Sequence, residues 1–313
     1  LIWQPFFEGW VLWIDSFLPL LLLPTFYVLY RGNQGDRGDG ADKWFFFCGL
    51  FLGLGIVFKQ VLIPLAILTA VYIFWKKRKF RPTIIFLSGL FIPLAVMIIY
   101  IVGLGVLKDF WYWTVVFNLT TFAHFGRGQG PTFAHFTRVV FVFGSAFLLL
   151  VFNKLKVTEV QLLLIFLLGS LLGLSTRFDF MHFQPALPFA VLATVYALER
   201  FSKLYSSRGP NDQQMWSGRL VMIGTLGYFL ISFWWLVIFY KGHLGDRIIS
   251  FDFNTKSMAA KIKSLTYPGE KIFVFGAAPH LYQMSGTLPA GDVFVFQFPW
   301  FLQVAEGRIL EGI

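Results

Sequence analysis

WFFFCGLFLGLGIVFKQVLIPLAILTAVYIFW, Trp44 to Trp75, carries no charged or amide side chain except Lys59 and Gln60. One unbroken helix of that length would reach ~48 Å at ~1.5 Å per residue, against a hydrocarbon core of ~30 Å. The stretch is therefore read as two short helices, 44–58 and 61–75, folded back at Lys59–Gln60. That choice sets the parity of every later span, and with it the side on which each loop falls.

The rest of the chain has the same character. Hydrophobic residues make up 57% of 313 positions, charged residues 13%, and mean hydropathy is +0.69. A soluble domain would carry about 25% charged residues. The fold class expected is an α-helical polytopic membrane protein. Net charge is +10, but much of it sits in short loops between apolar runs, so no nucleic-acid partner is implied; the partners expected begin with membrane lipids. Cys48 is the one cysteine, which excludes an intrachain disulfide. The chain opens on Leu1 and closes on Ile313 without evident start or stop signals, and is read as a fragment lacking both ends.

Outward from the central hairpin, apolar runs of bilayer-crossing length are expected at 9–30 and 82–103, then at 137–152, 157–174, 185–201 and 219–240. That makes about eight spans in a transmembrane domain over 1–240. A long aromatic loop is expected from Leu104 to Phe136. Basic residues in short loops collect on the cytoplasmic side. With the leading end outside, Arg31, Lys43, the KKRKFR run (Lys76–Arg81), Lys154, Lys156 and Arg200 fall inside. Lys59, Lys108, Arg127, Arg138 and Arg177 fall outside. Gly49, Gly53 and Gly55, and the pair Gly169 and Gly173, have the small-residue spacing that lets membrane helices approach closely.

Residues 241–313 break the pattern and are expected to begin a small external α/β domain, C-terminally incomplete. Thr255–Leu265 has helical spacing. Lys271–Phe275 reads as a strand, followed by a Gly-Ala-Ala-Pro turn and a short helix; Leu-Pro-Ala-Gly reads as a turn before a second strand at Val293–Phe296. No phosphate-binding glycine fingerprint and no metal-ligand cluster occur there, so no chemistry is assigned to it.

The polar residues that stand out lie on the expected outer side. STRFDFMHFQPALPF (Ser175 to Phe189) sets Arg177, Asp179 and His182 between two apolar runs, where ionisable groups mark a functional-site candidate. Lys59 and Gln60 come from the hairpin tip. His124, Arg127 and His135 come from HFGRGQGPTFAHF (His124 to Phe136). Cations at a membrane edge suit a phosphate, Lys as a compact charge and Arg as a bidentate donor. The same residue types serve as solvated interfacial anchors. The histidine spacing is poor for a metal: no cofactor is evident, and a divalent metal has no support in this stretch. Asn118-Leu-Thr120 matches a glycosylation sequon.

GLFLGLGIVFKQ (Gly49 to Gln60) resembles the Gly-rich span ending in Lys of membrane glycosyltransferases of the C-type fold. TRFDFMHFQPALPFAVLA (Thr176 to Ala193) resembles their basic external turn, and IKSLTYPGEKIFVFGAAPHLYQMSGTLPA (Ile262 to Ala290) is similar to the external domain after their last span. The family resembled is that of dolichyl-phosphate-mannose-protein mannosyltransferase-like enzymes, including bacterial aminoarabinose transferases. The resemblance implies sugar transfer from a polyprenyl-phosphate carrier to the hydroxyl of an unidentified acceptor, on the outer face of a bacterial or archaeal plasma membrane. Lys59, Gln60, Arg177, His182, His124 and Arg127 would contact the donor, with Lys59, Arg177 and His182 at its phosphate or sugar. The family's catalytic Asp sits in an external loop after the first span, which is expected upstream of Leu1. Glu8, Asp109 and Asp179 do not match it. A transporter or flippase for an anionic lipid or solute would also place cations at the membrane edge; a third reading is a non-catalytic membrane scaffold whose external domain binds partners. No internal repeat of the transporter kind is visible.

Overall fold

The computed structural model describes residues 14–34, 40–122, 132–144, 146–147, 150, 157–172, 180–206, 212–243, 253–275, 279–292, 306–307 and 310. The chain divides into two compact units, Leu1–Val237 and Ile238–Ile313.

Every regular element among the described residues of the first unit is a helix. A turn of 3-10 helix, Ile14–Ser16, leads into α1 (Leu18–Gln34), followed by α2 (Gly40–Phe58), α3 (Ile63–Lys77) and α4 (Phe80–Gly103). These four segments are long and apolar enough to cross a membrane. The helix does stop at the hairpin tip. Lys59 is extended (φ −157°, ψ 116°), and a short 3-10 turn, Gln60–Leu62, hands over to α3, with Pro64 in its first turn. Proline is tolerated there because the first helical N–H groups have no partner inside the helix. At the other end of α3 Arg78 takes the left-handed conformation (φ 53°), its N–H donating to the Phe74 carbonyl.

Glycine decides how α2 and α4 pack. A Cβ on Gly49 would run into the Phe86 carbonyl oxygen, one on Gly53 into that of Leu90, and one on Gly89 into that of Phe46. Backbone meets backbone along this seam, the close approach that small residues permit where no hydrophobic force separates helix from lipid. A Cβ on Gly169, in the later helix α7 (Thr158–Leu172), would run into the side chain and Cα of Leu65 in α3. Gly173 lies outside the described residues.

Polar ties sort the helix ends. At one end Arg81 pairs with Asp42 at 2.7 Å, Lys76 donates to Gln161 at 3.1 Å, and Tyr30 donates to Glu159 at 3.4 Å. Arg31 and Lys43 both lie over the Trp44 ring there. The opposite end holds the start of α1, the α2–α3 break and the entry to α8 (Leu187–Ser206). Between them Phe26, Phe166 and Phe189 form an aromatic core, with Phe26–Phe166 at 5.3 Å and Phe166–Phe189 at 4.9 Å.

The stretch expected to be a loop from Leu104 to Phe136 is largely helical where described. α5 (Leu107–Trp111) runs into wide-turned π segments at Tyr112–Val116 and Asn118–Phe122, and α6 covers Phe133–Val139. Its aromatic residues contact one another along the helix, Trp113 tilted against Phe117 with ring centroids 5.0 Å apart. The Asn118 amide donates to the carbonyls of Trp113 (3.0 Å) and Thr114 (2.9 Å). The sequon nitrogen is thus engaged in holding the wide turn. Another π segment, Val140–Gly144, follows α6 where one continuous span over 137–152 was expected.

The α8 helix is entered by a 3-10 segment, Phe180–Ala186, and α9 (Asp212–His243) extends beyond the expected 219–240 at both ends. The second unit contains α10 (Phe253–Leu265), β1 (Lys271–Ile272), α11 (His280–Ser285) and β2 (Leu288–Pro289), with β1 and β2 parallel. The second strand therefore falls on the Leu-Pro pair read as a turn, because the Leu288 N–H finds the Glu270 carbonyl at 2.9 Å. Val293–Phe296 lies outside the described residues. Tyr282 is buried and its hydroxyl accepts the Val274 N–H at 3.0 Å.

Candidate functional site

Three segments distant in sequence meet at the end of the bundle where α2 turns into α3. The 3-10 turn before α1 contributes Asp15, the break between α2 and α3 contributes Lys59, and the 3-10 entry to α8 contributes His182. Asp15 Oδ2 lies 2.5 Å from Lys59 Nζ and 3.3 Å from His182 Nδ1; Lys59 Nζ lies 3.0 Å from the same Nδ1. Side-chain exposure is 3% for Asp15, 20% for Lys59 and 21% for His182. The carboxylate is the enclosed member and the two nitrogen groups are those solvent can reach.

The local chain explains each placement. Lys59 is available because the helix ends there: its extended backbone carries the side chain off the α2 axis, while its N–H still closes on Gly55 at 2.9 Å. His182 and Gln184 lie two apart on the tight helical segment, as Asp15 and Ser16 lie side by side on theirs. A second tie, Ser16 Oγ to Gln184 Oε1 at 2.6 Å, binds the same two segments. Leu62, Phe183 and Phe189 are buried around the cluster's supporting elements. An ion pair in such surroundings is weakly screened, and so is rigid once formed.

Asp15 does not stand out in the sequence because it lies inside the apolar run 9–30. The signal is present all the same: a carboxylate in a membrane-spanning stretch is costly unless paired, which points to a partner among Lys59 and its neighbours. The remaining oxygen of Asp15, Oδ1, is buried and has no hydrogen-bond partner among the described residues.

Of the residues expected from the sequence, Lys59 and His182 are brought together. Lys59 is a partner of a buried carboxylate, where the sequence pictured an open cation. Gln60 is exposed on the turn beside it and takes no part in the cluster. Arg177, Asp179, His124 and Arg127 lie outside the described residues; His135 falls in α6, its side chain undescribed. Among the described residues no group of three or more His, Cys, Asp or Glu could hold a metal ion. The cation at this carboxylate is an ammonium.

Residues 5–102 match the family model of dolichyl-phosphate-mannose-protein mannosyltransferases. The matched segment runs from the leading end through α1–α4 and contains both Asp15 and Lys59. The resemblance drawn from the sequence is thereby borne out over this segment. Neither a curated protein nor a solved structure matches the chain.

Proposed function

We propose that this chain, related over residues 5–102 to the dolichyl-phosphate-mannose-protein mannosyltransferases, is an enzyme that moves a sugar from a polyprenyl-phosphate carrier to an acceptor hydroxyl. The observation that carries the reading is the Lys59–His182 contact, anchored on a buried carboxylate within the matched segment. Two nitrogen groups, each about a fifth exposed, lie at one end of the bundle. They have the chemistry to receive the oxygens of a lipid phosphate whose tail remains in the bilayer.

In the reaction the acceptor oxygen bonds to the anomeric carbon as the bond from that carbon to the carrier phosphate breaks. Negative charge grows on the departing phosphate. Lys59 donates an N–H to it, His182 a second, and Arg177 is assigned to the same oxygens. Preorganised donors of this kind, aimed where charge develops, supply much of the acceleration in group transfer. Asp15 is assigned as Lys59's partner and not as the base: Oδ2 is occupied and Oδ1 is sealed from solvent. The acceptor's proton is left to the family's external carboxylate loop.

Charge supports the outer face for this cluster. Arg31, Lys43, Lys76, Lys77, Arg78, Lys79 and Arg81 lie at the ends of α1–α4 remote from Lys59, and short basic loops face the cytoplasm. The test is release of polyprenyl phosphate from a polyprenyl-phosphate sugar by the full-length protein in liposomes. Loss of one transition-state donor lowers rate about 10²–10³-fold, the result expected for Lys59→Ala and for Arg177→Ala. Unchanged turnover in both would reduce these residues to interfacial anchors. Passage of the lipid across the bilayer without sugar release would favour the flippase reading instead.

A further inference from the structure

We infer that Asp15 is a positioning residue: acting through Lys59, it fixes His182 as the tautomer that carries its proton on Nε2, and so presents an N–H to an anionic ligand oxygen. The inference rests on the phosphate reading for the identity of that ligand, but not for the tautomer.

Hydrogen counting leads to it. An ammonium has three donors and no acceptor, so at 3.0 Å from Lys59 Nζ the Nδ1 of His182 must accept. Nδ1 then has no proton to give to Asp15 Oδ2, and their longer separation of 3.3 Å is contact without a bond of its own. The neutral ring carries its proton on the other nitrogen. Nε2 has no partner among the described residues, while the side chain is 21% exposed. A donor is thus left over at the accessible part of an otherwise paired cluster.

Asp15 is the group that makes this arrangement hold. Its Oδ2 accepts from Lys59 at 2.5 Å, which pins the ammonium beside the ring. Its Oδ1 is buried with no hydrogen-bond partner among the described residues. Such an orphan is unfavourable, and an apolar residue at position 15 would remove it. A local rule broken in this way marks a position retained for a site rather than for packing.

The experiment uses full-length protein in nanodiscs, with 15N-labelled histidine. The chain has five histidines, and His182 is identified as the signal lost in His182→Gln. In wild type the ring should show a protonated Nε2 and a bare Nδ1. In Asp15→Asn, where the amide holds the ammonium less firmly, both tautomers should appear. Glutamine places its amide N–H where Nε2–H lies and asparagine does not. His182→Gln should therefore stay within about tenfold of wild-type turnover, while His182→Asn falls on the order of 10²–10³-fold, the loss expected for one transition-state donor. A wild-type ring protonated on Nδ1, an Asp15→Asn tautomer identical to wild type, or equal turnover in the Gln and Asn variants would each overturn the inference. If the tautomer is as stated but undecaprenyl phosphate, titrated alone, does not bind wild type and does not shift Nε2, it is the phosphate reading that falls.

Discussion

Asp15 Oδ2 and Lys59 Nζ stand 2.5 Å apart, tying the approach to α1 to the break between α2 and α3 across 44 positions of sequence. Removing one partner of a buried ion pair strands the other charge, which costs about 3–5 kcal/mol; replacing both with apolar residues of similar size is often neutral. Asp15→Leu and Lys59→Met should therefore each lower the melting temperature in detergent. The double variant should recover most of that loss and yet remain without turnover. A double variant as unstable as the sum of the two singles would mean that the groups act independently.

The seam between α2 and α4 gives a second expectation. A methyl group on Gly49 meets the Phe86 carbonyl, a backbone atom that cannot swing aside. Overpacking of this kind costs about 1–3 kcal/mol, so Gly49→Ala should lower stability and the yield of folded protein. Gly103, near the end of α4, has open space where its Cβ would be. Gly103→Ala should be neutral or slightly stabilising, since alanine is favoured over glycine in a helix by up to ~1 kcal/mol. Similar losses in both variants would show that the contact of Gly49 with the Phe86 carbonyl is not what makes Gly49→Ala unstable.

Orientation can be read with single cysteines at exposed positions. Gln60 stands beside the site and Lys79 at the opposite end of α3. Cys48 is fully buried and should stay silent. An impermeant thiol reagent applied to intact cells should label Gln60→Cys and spare Lys79→Cys. The reverse pattern would put the cluster in the cytoplasm and remove the outer-face reaction.

In the second unit the Tyr282 hydroxyl accepts the Val274 N–H at 3.0 Å. Tyr282→Phe leaves that half-buried N–H without its acceptor, and losing an intramolecular hydrogen bond costs about 0.5–1.5 kcal/mol. Hydrogen exchange at Val274 should quicken, with exchange in α1–α4 unchanged. Protection at Val274 equal to wild type would show that the segment after β1 does not depend on this bond.

The break at Lys59, the four helices long enough to cross a membrane and the glycine seam were legible in the sequence. Each follows from local arithmetic: helix rise against bilayer thickness, and side-chain size against helix spacing. The sequence also named Lys59 and His182, because isolated polar groups at the edges of apolar runs stand out on their own. What it did not contain was their relation. Asp15 gains meaning only from Lys59 and His182, which lie 44 and 167 positions away. Only tertiary packing brings those segments within hydrogen-bonding distance. The same holds for the Trp113–Phe117 stretch, read from sequence as part of a long aromatic loop, where ring contact at 5.0 Å and the Asn118 amide accompany a wide helix. Period and composition are properties of neighbours in the chain. A salt bridge between distant segments, or a side chain that replaces a helical hydrogen bond, depends on which surfaces meet, and that was decided by packing.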